Sequence, residues 1–126
     1  MLLADGDAGT PGLVSSALAS HCEMVGTVYD GQAAIAATMG LRPDILLLDV
    51  ILPVLNGFEV IRRLVALNST TKMIILTAVE DPEYVTEALE TGANGFVFKR
   101  KTRLDLALAI REALSGRTFV SATQPY

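Results

Sequence analysis

Four consecutive aliphatic residues, Ile45-Leu46-Leu47-Leu48, stand between Asp44 and Asp49. Neighbouring side chains of a strand point to opposite faces, so a run with no polar member must be covered on both. Few environments provide that, and the interior of a parallel sheet is the commonest. The run ends on a carboxylate. Pro53 then forbids regular pairing, and Asn56-Gly57 supplies turn and helix-start chemistry. Asp49 is thereby placed at the carboxyl end of a central strand, where open α/β sheets bind their ligands. Taken alone, Asp49 reads equally well as the cap of the following turn. The rest of the chain favours the ligand site.

A chain of 126 residues can bury a core as one domain. Its apolar residues come in runs of roughly four to six, far short of the ~20 of a membrane-spanning helix. There is no basic leader followed by an apolar stretch, so a soluble cytoplasmic protein is expected. The single cysteine, Cys22, excludes an internal disulfide and a Cys-based zinc site, and reads as a small core residue. The lone histidine, His21, has no second imidazole with which to form a metal pair and reads as a helix-end residue. A net charge of −4 argues against direct nucleic-acid binding by this domain.

Read in order, the chain alternates. A first strand from Met1 to Ala4 begins so abruptly that further residues are expected ahead of it. It stops at Asp5-Gly6-Asp7. Thr10-Pro11 is a cap and first-turn pair for a helix to Cys22. Met24–Tyr29 reads as a second strand, and Asp30 caps a helix that Gly40 and Pro43 end. Asp44–Asp49 is the third strand. Asn56–Asn68 is an amphipathic helix, with Phe58, Ile61, Leu64 and Val65 on one face. Lys72–Thr77 is the fourth strand, and Pro82 opens a helix closed by Gly92. Gly95–Lys99 is the fifth strand, and Thr102 caps a last helix to Gly116. In that helix Leu106, Ile110, Ala113 and Leu114 are expected to face the sheet, leaving Leu104 and Leu108 off the stripe. The short connections permit only right-handed crossovers. The reading is α/β: a five-stranded parallel sheet of order 2-1-3-4-5, flavodoxin-like, with helices on both faces.

In that order four neighbouring strands bring Asp5 and Asp7, Asp49, Thr77 and Lys99 to one crevice. Such a set suits phosphoryl transfer to a carboxylate. Aspartate is a competent nucleophile. Neighbouring acids beside a multiply charged phosphoryl group make sense as holders of Mg²⁺. The Lys99 ammonium and the Thr77 hydroxyl can meet phosphoryl oxygens, and the small Ala78 leaves room.

Asp5, Asp49, Pro53, Asn56-Gly57, Thr77-Ala78 and Gly95-Phe96-x-x-Lys99, in this order and at these intervals, resemble a response-regulator receiver domain of two-component signalling. The likeness covers Leu2 to Gly116. The resemblance implies that Asp49 is the phosphoacceptor, Thr77 the switch hydroxyl, Phe96 the switch aromatic and Lys99 the phosphate-binding lysine. It implies Mg²⁺ held by Asp5, Asp49 and the Ile51 backbone carbonyl, with Asp7 as a further candidate. It also implies a histidine kinase as phosphodonor and slow autodephosphorylation rather than turnover as an enzyme. The receiver is assigned to residues 1–116. Residues 117–126 are read as a tail or the start of a linker. Ala113–Ser121 is similar to the linker of the subfamily with helix-turn-helix output, so a DNA-binding output domain and a homodimer are expected partners. The alternative to a longer chain is a receiver that stands alone.

The pattern departs from the family at four points. Gly6 stands where the second metal-binding acid is usual, which implies weaker Mg²⁺ binding. Ile51 and Val79 are apolar at positions that tune phosphate lifetime, and Arg100 replaces an acid. Two rival readings follow. One is a phosphorylation-independent pseudo-receiver that only binds partners. The other is a haloacid dehalogenase-like phosphatase, because Asp5-Gly6-Asp7-Ala8-Gly9-Thr10 resembles its nucleophile loop with one extra residue. That reading makes Asp5 the nucleophile and leaves Asp49 and Pro53 unexplained.

Overall fold

A computed structural model describes residues 1–18 and 23–122. The elements alternate as β1 (Leu2–Ala4), α1 (Thr10–Leu18), β2 (Gly26–Val28), α2 (Gly31–Leu41), β3 (Ile45–Leu48), α3 (Gly57–Ala66), β4 (Lys72–Thr77), α4 (Pro82–Thr91), β5 (Gly95–Phe98), α5 (Thr102–Leu114) and β6 (Phe119–Val120). A single 3₁₀ turn, Lys99–Lys101, joins β5 to α5. All strand pairs are parallel, and the order is β2-β1-β3-β4-β5-β6. No helix among the described residues is long and apolar enough to cross a membrane.

Strand alternation accounts for the aliphatic run. Leu46 and Leu48 enter a core with Leu2, Ala4, Met73, Ile75, Phe96 and Phe98, covered by Ala34 of α2, Phe58 and Ile61 of α3 and Ala88 of α4. Ile45 and Leu47 enter a second core with Leu3, Ile74, Leu76 and Val97, covered by α1 and α5. Each of these leucines gains ~1.5–3 kcal/mol from burial. The central strands are held from both faces, so their carboxyl ends are rigid supports for a site.

Caps read from sequence recur at three helix starts or ends. Asp30 accepts from Ala33 N, Asn56 accepts from Glu59 N, and Gly92 closes α4 at φ 118°. Elsewhere the ends differ. α2 runs through Gly40 and stops where Arg42, at φ 49°, donates its N–H to Thr38 O. Thr10 is already helical. Thr102 is the first residue of α5, not its cap, and its hydroxyl donates back to Lys99 O. The readings of His21 and Cys22, and of α1 beyond Leu18, lie outside the described residues.

Two differences bear on function. Leu114 is 55 % exposed and does not face the sheet, whereas Leu106, Ala109, Ile110 and Ala113 do. The stripe is centred on the small residues Ala109 and Ala113, which let α5 approach the sheet and α1 closely. The second difference is β6. Among the described residues the sheet has six strands, not five, because Phe119 pairs with Gly95 and Val120 with Phe96. A strand of two residues has no periodicity to read.

Candidate functional site

The crevice is built from two loops of unlike construction. After β3, the ladder continues for one more bond, Asp49 N to Ala4 O at 3.0 Å, which fixes the backbone of Asp49 beside β1. The loop then doubles back. Val54 adopts φ 71° while Leu55 N donates to Pro53 O at 2.8 Å, a γ-turn that an L residue adopts only under constraint. The constraint is close approach. Gly57 N donates to Val50 O at 2.8 Å, and a Cβ on Gly57 would lie 2.5 Å from Asp49 O. Gly31 N donates to Pro53 O at 3.1 Å, and a Cβ there would lie 2.1 Å from Leu55 O. These glycines are required because backbone stands where a side chain would go.

After β1 the chain is looser. Asp5 is 2 % exposed, and its Oδ1 accepts from Asp7 N at 2.8 Å. Gly6 faces open space, its nearest neighbour for a Cβ being Tyr29 O at 4.0 Å. The Asp7 side chain is 64 % exposed, and its Oδ1 accepts from Gly9 N at 2.9 Å.

Lys99 closes the site from β5. Its Nζ lies 2.8 Å from Asp5 Oδ2, 3.1 Å from Asp49 Oδ2 and 4.0 Å from Asp7 Oδ2. The contact with Asp49 is a hydrogen bond. The shorter approach to Asp5 Oδ2 is an ion pair that leaves this buried oxygen without a well-directed donor. Burial on its own lowers the Lys99 pKa, but the close carboxylates of Asp5 and Asp49 outweigh it and raise the ammonium above its ordinary value. Three carboxylates around one ammonium leave the pocket net negative. Among the described residues, no three His, Cys, Asp or Glu side chains alone form a metal-holding cluster.

The remaining predicted residues fall around this centre. Asp49 is 8 % exposed, and its Oδ1 accepts from Ile51 N at 3.2 Å, so residue 51 folds back beside it. Thr77 is buried at the end of β4, paired in register with Phe98, and Val79 N donates to its Oγ1 at 3.3 Å. Phe96 is fully buried and meets Phe98 edge-on, with centroids 5.9 Å apart. Asp5, Asp49 and Lys99 thus meet directly. Asp7 reaches the rim of the same pocket, and Phe96 lies in the core on β5, two residues before Phe98.

Sequence reasoning missed two side-chain clusters. Arg100 makes a two-pronged ion pair with Glu80, at 2.6 and 2.8 Å, which holds Glu80 below the usual carboxylate range through those hydrogen bonds. The other joins Lys101, Asp105 and Ser121 around β6. Arg100 was visible as a charge in an acid's place. Its partner, twenty residues earlier, follows only from the pairing of β4 with β5.

Comparison with known proteins bears on the same residues. Residues 1–111 match the response regulator receiver domain family. The chain is 34% identical over 98 residues to the transcriptional regulatory protein YvfU of Bacillus subtilis strain 168, covering 78% of this chain and 49% of that protein. It is 35% identical over 99 residues to the oxygen regulatory protein NreC of Staphylococcus aureus strain JH9, covering 78% of this chain and 46% of that one. The chain therefore spans about half the length of these relatives. The signal receiver domain of NarL from Mycobacterium tuberculosis superposes with a TM-score of 0.84 at 29% identity, over 92% of this chain and 95% of that one.

Proposed function

The chain belongs to the response regulator receiver domain family, and from that premise we propose that Asp49 takes a phosphoryl group from a histidine kinase. The observation that carries this reading is the meeting of Asp5, Asp49 and one ammonium, Lys99, at the carboxyl ends of three strands. The family match displaces the dehalogenase-like reading, and Asp5, nearly inaccessible and turned toward Lys99, is poorly placed as its nucleophile.

In the proposed reaction an Asp49 carboxylate oxygen forms the new bond to phosphorus. The phosphorus–nitrogen bond of the donor breaks, its electron pair remaining on the imidazole, which then takes a proton. Lys99 exchanges its contact with Asp49 for a phosphoryl oxygen, and the Thr77 hydroxyl turns from Val79 N to donate to another. Phe96 follows the vacated space as the switch aromatic. Water slowly hydrolyses the acyl phosphate, and the apolar Ile51 and Val79 tune its lifetime.

The residues present fit Mg²⁺. Two buried carboxylates, one with an oxygen lacking a directed donor, leave negative charge that a single ammonium does not neutralise. Asp5, Asp49 and the Ile51 carbonyl would hold the ion, with Asp7 as a further oxygen from the rim. That is a sparse protein set, as is usual for Mg²⁺. When bound, the ion supplies charge neutralisation for the incoming phosphoryl group.

We place the domain in the cytoplasm, ahead of an output region with helix-turn-helix DNA binding, with residues 117–126 leading toward it. Homodimerisation through the exposed Leu104 and Leu108 of α5 belongs to the same reading. Mass spectrometry after incubation with acetyl phosphate and Mg²⁺ tests the acceptor. One phosphoryl group is expected on wild type and none on Asp49→Asn. Undiminished labelling of Asp49→Asn overturns the acceptor role, and no labelling of wild type favours the pseudo-receiver.

A further inference from the structure

The strand that sequence reasoning missed is held by more than its length would lead one to expect. β6 is two residues long, yet Ser121 immediately after it is only 4 % exposed. Its N–H donates to Phe96 O at 2.9 Å. Its hydroxyl accepts from Phe98 N at 3.2 Å and donates to Asp105 Oδ2 at 2.7 Å. The buried Lys101 ammonium donates to Ala122 O, and Phe119 packs into the core beneath α1 and α5. A short strand held only by its backbone would fray. This one is fastened by its own buried hydroxyl and by a carboxylate and an ammonium from the start of α5 and the turn before it.

The fastening points are also the neighbours of the phosphoryl site. Phe98, whose N–H Ser121 holds, pairs in register with Thr77 and precedes Lys99 in the chain. Phe96, whose carbonyl Ser121 caps, is the buried aromatic two residues before Phe98 on the same strand. Ser121 is therefore one hydrogen bond from β5, which runs directly into Lys99 and pairs with the strand that ends in Thr77.

We propose that the edge of β5, with Lys101 and Asp105, is a docking surface for the chain's own segment Phe119–Ala122, and that Ser121 reports the state of the Asp49 site to whatever follows that segment. A phosphoryl group held at once by Thr77 and Lys99 ties the ends of β4 and β5 together. Phe98 is then less free to open, and the docked segment is held more tightly. The coupling half of the proposal rests on the acceptor reading; the docking half does not.

Amide hydrogen exchange on the whole chain, resolved by nuclear magnetic resonance, tests both. In the absence of ligand, Ser121→Ala and Lys101→Met are expected to speed exchange at the amides of Phe98 and residue 121, leaving Leu47 and Ile75 unchanged as witnesses of an intact fold. Unchanged exchange at Phe98 and residue 121 in both variants overturns the docking. With Mg²⁺ and beryllium fluoride, a phosphoryl mimic, exchange at Ser121 of wild type is expected to slow by about fivefold or more. A bound fluorine-19 signal without slowing overturns the coupling while sparing the acceptor reading. No bound signal overturns the acceptor reading and the coupling together.

Discussion

The two acid-bearing loops of the crevice face each other and are built in opposite ways. The loop from Asp49 to Gly57 is determined by backbone contact. Gly57 at its end and Gly31 at the start of α2 leave the space of a missing Cβ to its backbone, and Val54 adopts a positive φ. The loop from Asp5 to Gly9 has one anchored carboxylate, Asp5, then open space at Gly6 and an exposed carboxylate at Asp7. The difference shows where such a site tolerates change. The Asp49 side cannot move without cost, whereas the Asp5–Gly9 side can lose or shift an acid while the sheet stays whole.

The largest effect should come from filling the rigid side. Gly31→Ala would set a Cβ against Leu55 backbone and Gly57→Ala one against Asp49 backbone, and neither can yield as a flexible side chain would. Each is expected to cost ~2–3 kcal/mol or more, read as a lowered urea midpoint. Midpoints no lower than that of wild type would show the loop to be as pliable as its counterpart.

Filling the loose side should do the reverse. Gly6→Asp meets open space, so stability is expected to change little, while Mg²⁺ affinity rises by about tenfold, or ~1.4 kcal/mol. Calorimetric titration of wild type, Gly6→Asp and Asp7→Asn separates the contributions. Equal affinity in the first two, with a loss in Asp7→Asn, would mean that Asp7 already supplies the second carboxylate from the rim.

Lys99 bridges the two loops, and its raised pKa sets the sign of a smaller effect. A group whose pKa is raised on folding contributes stability that is fully present below its unfolded value. That stability is lost as pH rises through the folded value. Thermal midpoints of wild type should therefore fall more steeply above pH 10.5 than those of Lys99→Met, since the other titrating groups are common to both. Parallel curves would mean that the two loops do not depend on the ammonium.

The smallest effect is expected outside the comparison. Arg100→Ala breaks the exposed pair with Glu80, and water and salt screen such pairs, so the thermal midpoint should hardly move. A clear fall would make the ion pair a brace between the β4–α4 connection and the end of β5, on which Lys99 then depends.

Much of this molecule was legible residue by residue. Buried strands announce themselves by uninterrupted aliphatic runs, and the two-residue alternation of Ile45 to Leu48 into opposite cores follows from strand geometry alone. Asn56 and Asp30 cap their helices through contacts three residues away, which sequence can specify. Strand order followed from the alternation of elements, and with it the gathering of Asp5, Asp49, Thr77 and Lys99 at one end. Tertiary structure decided what depends on contact between distant segments. It turned Leu114 outward because α5 seats on Ala109 and Ala113, and it carried Asp7 to within 4.0 Å of Lys99 Nζ. It also folded Phe119–Val120 onto β5, where Ser121 finds Phe96, Phe98 and Asp105. Local propensity acts over a few residues, whereas the place of a loop carboxylate or a two-residue strand is set by partners brought near only after the sheet has formed.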